Sequence, residues 1–423
     1  MTVKTTLTNL YFGKEKEGWG SVSDIDNIFD RAASGKSLVK NRQALTIDYV
    51  PDKLPFRDNE ARTLAETLST VLKKEPGRPS NLLLFGKPGT GKTAVVKTVV
   101  GRLKKKASEL GIEIIPPYIN AKEAKSPYKV LYEIAEFTGL NKEDKKVHFT
   151  GLSMGEAIDR VLQFIEKKKM HVILVIDEID SLTDKSGNDI LYSFTRANAR
   201  LSGGSFISLI GISNSLTFKD KLDPRVRSSL NEEELVFNPY TVEQLRQILS
   251  ERAQIALNAT AIGDAAINLC AAMAGREHGD ARKAINLMRV AAELAEREHA
   301  ARVEEKHIRS AEEKIETDSS FKVIRDTTTH DKFVILAITK AKNGNTGEVY
   351  DIYCGLCAET DHKPLTQRRV TQIVSELEQL GLVSTDVISQ GRGGRSQKIK
   401  ITVPLSTVKD ALKDDPTFAE LIG

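Results

Sequence analysis

Along most of the chain, apolar runs alternate with stretches whose apolar residues recur every three or four positions. Residues 82–85, 171–176 and 206–212 are continuous apolar runs, as expected for parallel strands buried on both faces. Residues 112–119 read as a further strand broken by Pro116-Pro117, and residues 234–237 as a shorter one. Helical spacing marks Leu64, Leu68, Val71 and Leu72 after Asp58, a helix from Thr93 to about Lys106, then Val130, Leu131 and Ile134. Ile158, Val161, Leu162 and Ile165 form another such face. Strands alternating with helices predict an α/β domain built on a parallel sheet flanked by helices.

After Asn238-Pro239-Tyr240 the strand pattern stops, and residues 242–257, 265–273, 281–299 and 304–316 read as helices only. Thr317-Asp318-Ser319-Ser320 reads as a linker. Beyond it, helices are expected at 333–340, 346–357 and 365–380. The third has Val370, Ile373, Val374, Leu377 and Leu380 as its buried stripe, and Gly381 closes it. Two strands at 387–390 and 396–403 then flank Gly391-Arg392-Gly393-Gly394-Arg395, a hairpin with a doubly basic tip. A helix-turn-helix followed by a basic hairpin is a winged helix. The expected organisation is an N-terminal extension (1–50), an α/β domain (51–238), an all-α lid (239–320) and a winged-helix domain (321–423).

Composition narrows the class. With 40% hydrophobic and 28% charged residues, the 423-residue chain reads as soluble, globular and multidomain. No apolar run is long enough to span a bilayer, and Met1-Thr2-Val3-Lys4 opens no signal-peptide core, so no membrane partner and a cytoplasmic, nucleoid-associated place are expected. Three cysteines suit a reducing interior, and Cys354 and Cys357 fall inside one helix, as core thiols rather than zinc ligands. The first fifty residues show an amphipathic candidate at 22–29 and a basic-apolar patch at 38–42, without a mechanism attached. A formal net charge of +4 favours anionic partners only mildly, but Lys363 to Lys400 alone carries seven Lys/Arg against three Asp/Glu.

Candidate chemistry starts where the first buried run meets Gly86-Lys87-Pro88-Gly89-Thr90-Gly91-Lys92-Thr93. This is the P-loop pattern in its required strand-turn-helix setting, with backbone N–H groups converging on phosphates. Gly89, Thr90 and Gly91 shape the loop, Lys92 reaches the terminal phosphates, and Thr93 supplies a hydroxyl to Mg²⁺. Asp177-Glu178 ends the next central run at the sheet edge where ligands sit. Asp177 fits the second Mg²⁺ ligand and Glu178 the residue that orients an attacking water, which together imply phosphoanhydride hydrolysis. Asn214 ends another strand, either as a γ-phosphate or water contact or as a turn residue. Arg225 and Arg227 lie on a loop after the sheet, as fingers toward a neighbour's phosphate or as solvated residues. Arg282 follows an N-cap Asp280 and opposes its own helix dipole, which an anionic ligand would explain. In the third domain Thr366, Gln367, Arg368, Thr371 and Gln372 lie opposite the buried stripe, as groove-reading or phosphate-binding side chains. Arg392, Arg395 and Lys398 would form the basic wing.

Taken in order, P-loop, Asp-Glu strand end, polar strand end, arginine loop and helical lid with its own arginine resemble an AAA+ ATPase. Narrower wording lies in Asp48-Tyr49-Val50-Pro51, Leu54-Pro55-Phe56-Arg57, Thr195-Arg196-Ala197-Asn198, Gly211-Ile212-Ser213-Asn214 and Arg227-Ser228-Ser229-Leu230. These resemble archaeal replication initiators, which are similar to origin recognition complex subunit one and cell division control protein six. The resemblance runs from about Asp24 onward. It implies that Asn214 is sensor one, Arg282 sensor two and Arg225 the arginine finger, with Arg227 the alternative. It further implies nucleotide contacts from Tyr240 and Arg252, an adenine cover from Val50, Pro55, Phe56 and Arg57, and a DNA-touching helical insertion between about 120 and 155. The expected function is ATP-dependent recognition of duplex origin DNA, with ATP/ADP and Mg²⁺ as cofactors and slow, switch-like hydrolysis. The replicative helicase and other initiator copies are the expected partners. A nucleotide-sensing transcription regulator and a loader ATPase are the competing functions.

Overall fold

The computed structural model describes residues 37–143, 151–202, 204–230, 233–276, 279–342, 344–389 and 395–422. The amphipathic candidate at 22–29, His278 and the wing tip with Arg392 lie outside the described residues, as does Arg395's side chain.

A helix α1 (Asp58–Leu68) precedes strand β1 (Leu82–Phe85), whose four residues are all buried. The P-loop leads into α2 (Lys92–Glu109), followed by β2 (Ile114–Ile115) and β3 (Tyr118–Asn120). Both pair in parallel with β4 (His171–Asp177), Ile114 opposite His171 and Tyr118 opposite Val175. They are therefore one edge strand interrupted by Pro116-Pro117, whose nitrogens cannot donate; the Pro117 carbonyl still accepts from Val175 N at 2.8 Å. Between β3 and β4 lie α3 (Ala121–Ala124), α4 (Pro127–Thr138), α5 (Leu140–Glu143) and α6 (Met154–Lys167). Helix α7 (Lys185–Thr195), strand β5 (Phe206–Ser213), α8 (Phe218–Lys221), α9 (Pro224–Leu230) and β6 (Glu233–Val236) complete the unit. The parallel sheet runs β2-β4-β5-β1-β6 with β3 beside β4. One face packs on α4, α6 and α7 and the other on α1 and α2. The C-terminal ends of β1, β4 and β5 deliver the P-loop, Asp177 and Asn214 to one edge.

Helices α10 (Val242–Ala256), α11 (Asp264–Arg276), α12 (Ala281–Arg297) and the first half of α13 (Glu305–Asp326) enclose a separate core. Residues 37–45 belong to that core: Leu38, Val39, Ala44 and Leu45 are buried among lid side chains. The basic-apolar patch thus has a structural explanation that its local sequence hides.

The expected linker does not exist. Thr317, Asp318, Ser319 and Ser320 lie inside the 22-residue α13, about 33 Å long at 1.5 Å per residue. Its N-terminal half buries Ile308 and Ala311 in the lid, while Ile324 near its end is buried in the last core. Weak helix formers in the middle are carried by packing at both ends. That last core gathers α14 (Thr329–Ala341), α15 (Thr346–Glu359), α16 (Gln367–Gln379), the antiparallel β7 (Val383–Ser389) and β8 (Arg395–Ile401), α17 (Leu405–Leu412) and α18 (Pro416–Ala419). Cys354 and Cys357 both lie on α15, with Cys357 buried. Val370, Ile373, Val374 and Leu377 are buried as the spacing predicts; Leu380 is not, because α16 ends before it and leaves it 53% exposed.

Candidate nucleotide site and groove-facing helix

Local sequence sets the P-loop shape. Gly89 and Gly91 take φ of 73° and 91°, a region L side chains avoid. A Cβ on Gly89 would lie 1.7 Å from Asp280 Oδ1, and one on Gly91 2.7 Å from the Tyr240 hydroxyl. The loop is therefore pressed between sheet and lid, and Ala281 N donates to Gly89 O at 3.2 Å.

Above it opens a cavity of about 460 Å³, a volume suited to a nucleotide-sized ligand. Gly89, Thr90, Gly91, Lys92, Thr93, Asp177, Glu178 and Asn214 line its base. Tyr240, Arg252 and Arg282 line the lid side, and Val50 and Pro55 close it with Ile47, Asp48, Tyr49 and Pro51. Lys92 Nζ donates to Gly86 O (2.6 Å), Lys87 O (2.9 Å) and Asn214 Oδ1 (2.9 Å). Burial presses its pKa from 10.5 down to about 8, against the opposing pull of Asp177. Thr93 Oγ1 donates to Asp177 Oδ2 at 2.8 Å, and Glu178 N to Asp177 Oδ1 at 2.8 Å. A hydroxyl and a carboxylate at the sheet edge form a hard-oxygen set that fits Mg²⁺. Glu178 holds a left-handed backbone (φ 51°), strain of a kind concentrated at functional positions, and its side chain faces Lys122 Nζ at 3.7 Å.

Several residues reach the site through others. Arg57 is buried and does not line the cavity: it donates to Thr90 O (2.9 Å), the Tyr240 hydroxyl (3.1 Å), Asn238 O (2.5 Å) and Glu60 (2.8 Å). It stacks 4.2 Å over the Tyr240 ring, bracing the P-loop against the lid from behind. Phe56, with φ 64°, turns the chain into it and likewise lies off the cavity wall. Arg252 lines the cavity while its guanidinium donates to Ala44 O (3.0 Å) and Tyr49 O (3.3 Å). That fastens the chain segment that forms one cavity wall. Glu296 fastens the same segment further back, accepting from the Ser37 hydroxyl (2.6 Å), Leu38 N (2.9 Å), Val39 N (3.3 Å) and Arg42 (2.9 Å). Arg225 and Arg227 lie outside the cavity lining; Arg225 is held two-pronged by Asp223 (3.1 and 2.9 Å), and Arg227 faces Asp220 at 3.9 Å.

Sequence reasoning missed Tyr118. Its phenol donates to Asp177 Oδ2, its ring lies 4.6 Å from Lys97 Nζ, and it lines the cavity. Burial, then the hydrogen bond to Asp177, raises its pKa above the ordinary tyrosine value. The available signal was a hydroxyl near the C-terminal end of the strand beside the Asp-Glu strand.

On α16, Thr366 stands at the N-cap with Gln367, Arg368 and Gln372 exposed and Thr371 half-buried. Gln372 Nε2 donates to Glu376 at 3.0 Å and Thr371 Oγ1 to Gln367 O at 3.0 Å. Lys398 sits on β8 opposite Asp386, so the polar face of α16 and the base of the wing belong to one folded unit.

Residues 75–216 match the AAA domain family, 246–313 the Cdc6 AAA+ ATPase-type lid domain and 322–411 the CDC6 C-terminal winged helix domain. An ORC1-type DNA replication protein of Cenarchaeum symbiosum is 45% identical, over 94% of this chain and 97% of that one. The chain belongs to the ORC1-type DNA replication proteins. A second member, ORC1-type DNA replication protein 1 of Aeropyrum pernix, is 43% identical over 94% of this chain and its own full length. The Aeropyrum pernix ORC1 protein solved in complex with DNA superposes with a TM-score of 0.79 at 43% identity, covering 91% of this chain and all of that one. As an ORC1-type protein the chain is an AAA+ ATPase with a Cdc6 lid and winged helix.

Proposed function

We propose that this ORC1-type chain is an ATP-controlled initiator that grips duplex origin DNA with its winged helix and helps recruit the replicative helicase. Slow hydrolysis acts as a switch between two DNA-binding states. The observation that carries the reading is α13: one helix is buried in both the lid and the winged-helix core, and the lid's α12 starts against the P-loop. A lid movement set by the nucleotide is thereby delivered to the DNA-facing unit without a flexible joint.

Lys92 and the P-loop amides would hold the phosphates of ATP, and Arg282 would meet them from the lid. Thr93 and Asp177 would hold Mg²⁺, which when bound neutralises phosphate charge. Glu178 orients the attacking water and accepts its proton, with Asn214 beside Lys92 fixing the far side. Arg225, or Arg227, would serve a neighbouring copy's phosphate, since neither faces its own cavity. Arg252, Tyr240 and Arg57 hold the pocket walls and the P-loop in place. Thr366, Gln367, Arg368, Thr371 and Gln372 would enter a groove, while Arg392, Arg395 and Lys398 contact phosphates. The same proposal includes domain limits at 51–238, 239–320 and 321–423, the last of them falling inside the continuous α13, and a nucleoid location.

Fluorescence anisotropy on an origin duplex tests it. Replacing Arg392 and Arg395 by alanine is expected to flatten the salt dependence of log K by about 1.8, roughly 0.9 per lost phosphate contact. Unchanged affinity with an unchanged salt slope would favour a loader with incidental DNA contact.

A further inference from the structure

We propose that Tyr118 is a positioning residue for the cation site: its phenol and its contact with α2 hold the Asp177 carboxylate in the one orientation that serves Mg²⁺. The proposal rests on assigning the cavity to ATP and Mg²⁺. Among the described residues three donors converge on this carboxylate: the Tyr118 phenol and Thr93 Oγ1 on Oδ2, and Glu178 N on Oδ1. A carboxylate has about four lone-pair directions, so one remains, on Oδ1, for an incoming cation or its water.

Thr93 and Glu178 cannot fix the group alone. Thr93 would itself be a cation ligand, and the Glu178 amide sits on a left-handed turn next in sequence. Tyr118 is the donor that approaches from a different strand. β3 places it opposite Val175, two positions before Asp177, so the ring reaches along β4 to the strand's end. Lys97 Nζ, one helical turn beyond Thr93 on α2, lies 4.6 Å from the ring centroid and ties the ring to α2 through a cation–π contact. β3, β4 and α2 therefore meet at one carboxylate. Without the phenol, the terminal torsion of an aspartate is broad and the carboxylate swings.

Tyr118→Phe keeps the ring and the Lys97 contact and removes only the hydroxyl. Partners that orient metal ligands are typically worth 10–100-fold in metal affinity. Titrating Mg²⁺ against a fluorescent ATP analogue should give an apparent Mg²⁺ affinity about 10-fold weaker than wild type. Binding of the analogue in EDTA should stay at the wild-type value. Asp177→Asn should lose still more Mg²⁺ dependence. Equal loss with and without Mg²⁺ would make Tyr118 a packing residue and overturn the proposal, as would an unchanged Mg²⁺ affinity. Should wild type itself bind the analogue with no Mg²⁺ dependence, the assignment of the cavity falls and the proposal with it.

Discussion

Ser319→Pro tests whether α13 transmits the nucleotide state. Ser319 is exposed, midway between the lid anchors Ile308 and Ala311 and the winged-helix anchor Ile324. Proline there removes the bond to the Ile315 carbonyl and clashes with it, at a cost of about 3 kcal/mol in a helix interior. Coupling between two sites usually amounts to about 1–3 kcal/mol, so the break is as large as any coupling the helix carries. Both cores keep every buried side chain and should fold. Origin-duplex affinity is measured by anisotropy with ATP and with ADP. Wild type is expected to show a ratio of about 5–150 between the two states, and Ser319→Pro a ratio near one with unchanged ATP affinity. Ser319→Ala, which keeps the helix, should behave as wild type. A Ser319→Pro protein that retained the full ratio would refute transmission through α13.

Two further predictions concern the pocket. Burial lowers the Lys92 pKa to about 8, so it is charged below that pH, and nucleotide binding above it must take up a proton. ATP affinity should therefore fall as pH rises past about 8, by up to tenfold per unit, and calorimetry should detect the proton uptake; Lys92→Ala should lose this slope. For stability the sign is opposite: between about 8 and 10.5 the unfolded lysine holds more protons, so the nucleotide-free protein gains stability from this group as pH rises. Glu296→Gln weakens the fastening of residues 37–42 to the lid. The amide oxygen still accepts, and the difference between charged (about 1.5–3 kcal/mol) and neutral (about 0.5–1.5 kcal/mol) hydrogen bonds is about 1 kcal/mol, so nucleotide release in a chase experiment should quicken by about fivefold. An unchanged release rate would mean that the segment covers nothing.

The base of the site was legible because its residues are contiguous: one eight-residue motif fixes loop, lysine and hydroxyl, and a buried run announces Asp177 and Glu178 at its end. The winged helix was legible for a similar reason, since its stripe and hairpin are periodic. What stayed hidden was set by distant partners. The basic-apolar patch at 38–42 showed no role because Glu296 and Ala256, which hold that segment, lie more than two hundred residues away. Arg57 gave no sign of being a buried brace, as its four acceptors come from three separate elements. Thr317 to Ser320 read as a linker on propensity, which the anchored ends of α13 overrule.

The central claim is that nucleotide state governs a grip on duplex origins. Footprinting the wild-type protein across its own genome, with ATP and with ADP, tests it most directly. Protection should concentrate at replication origins and change in strength or extent between the two nucleotides. Protection confined to promoters, or identical with both nucleotides, would contradict it.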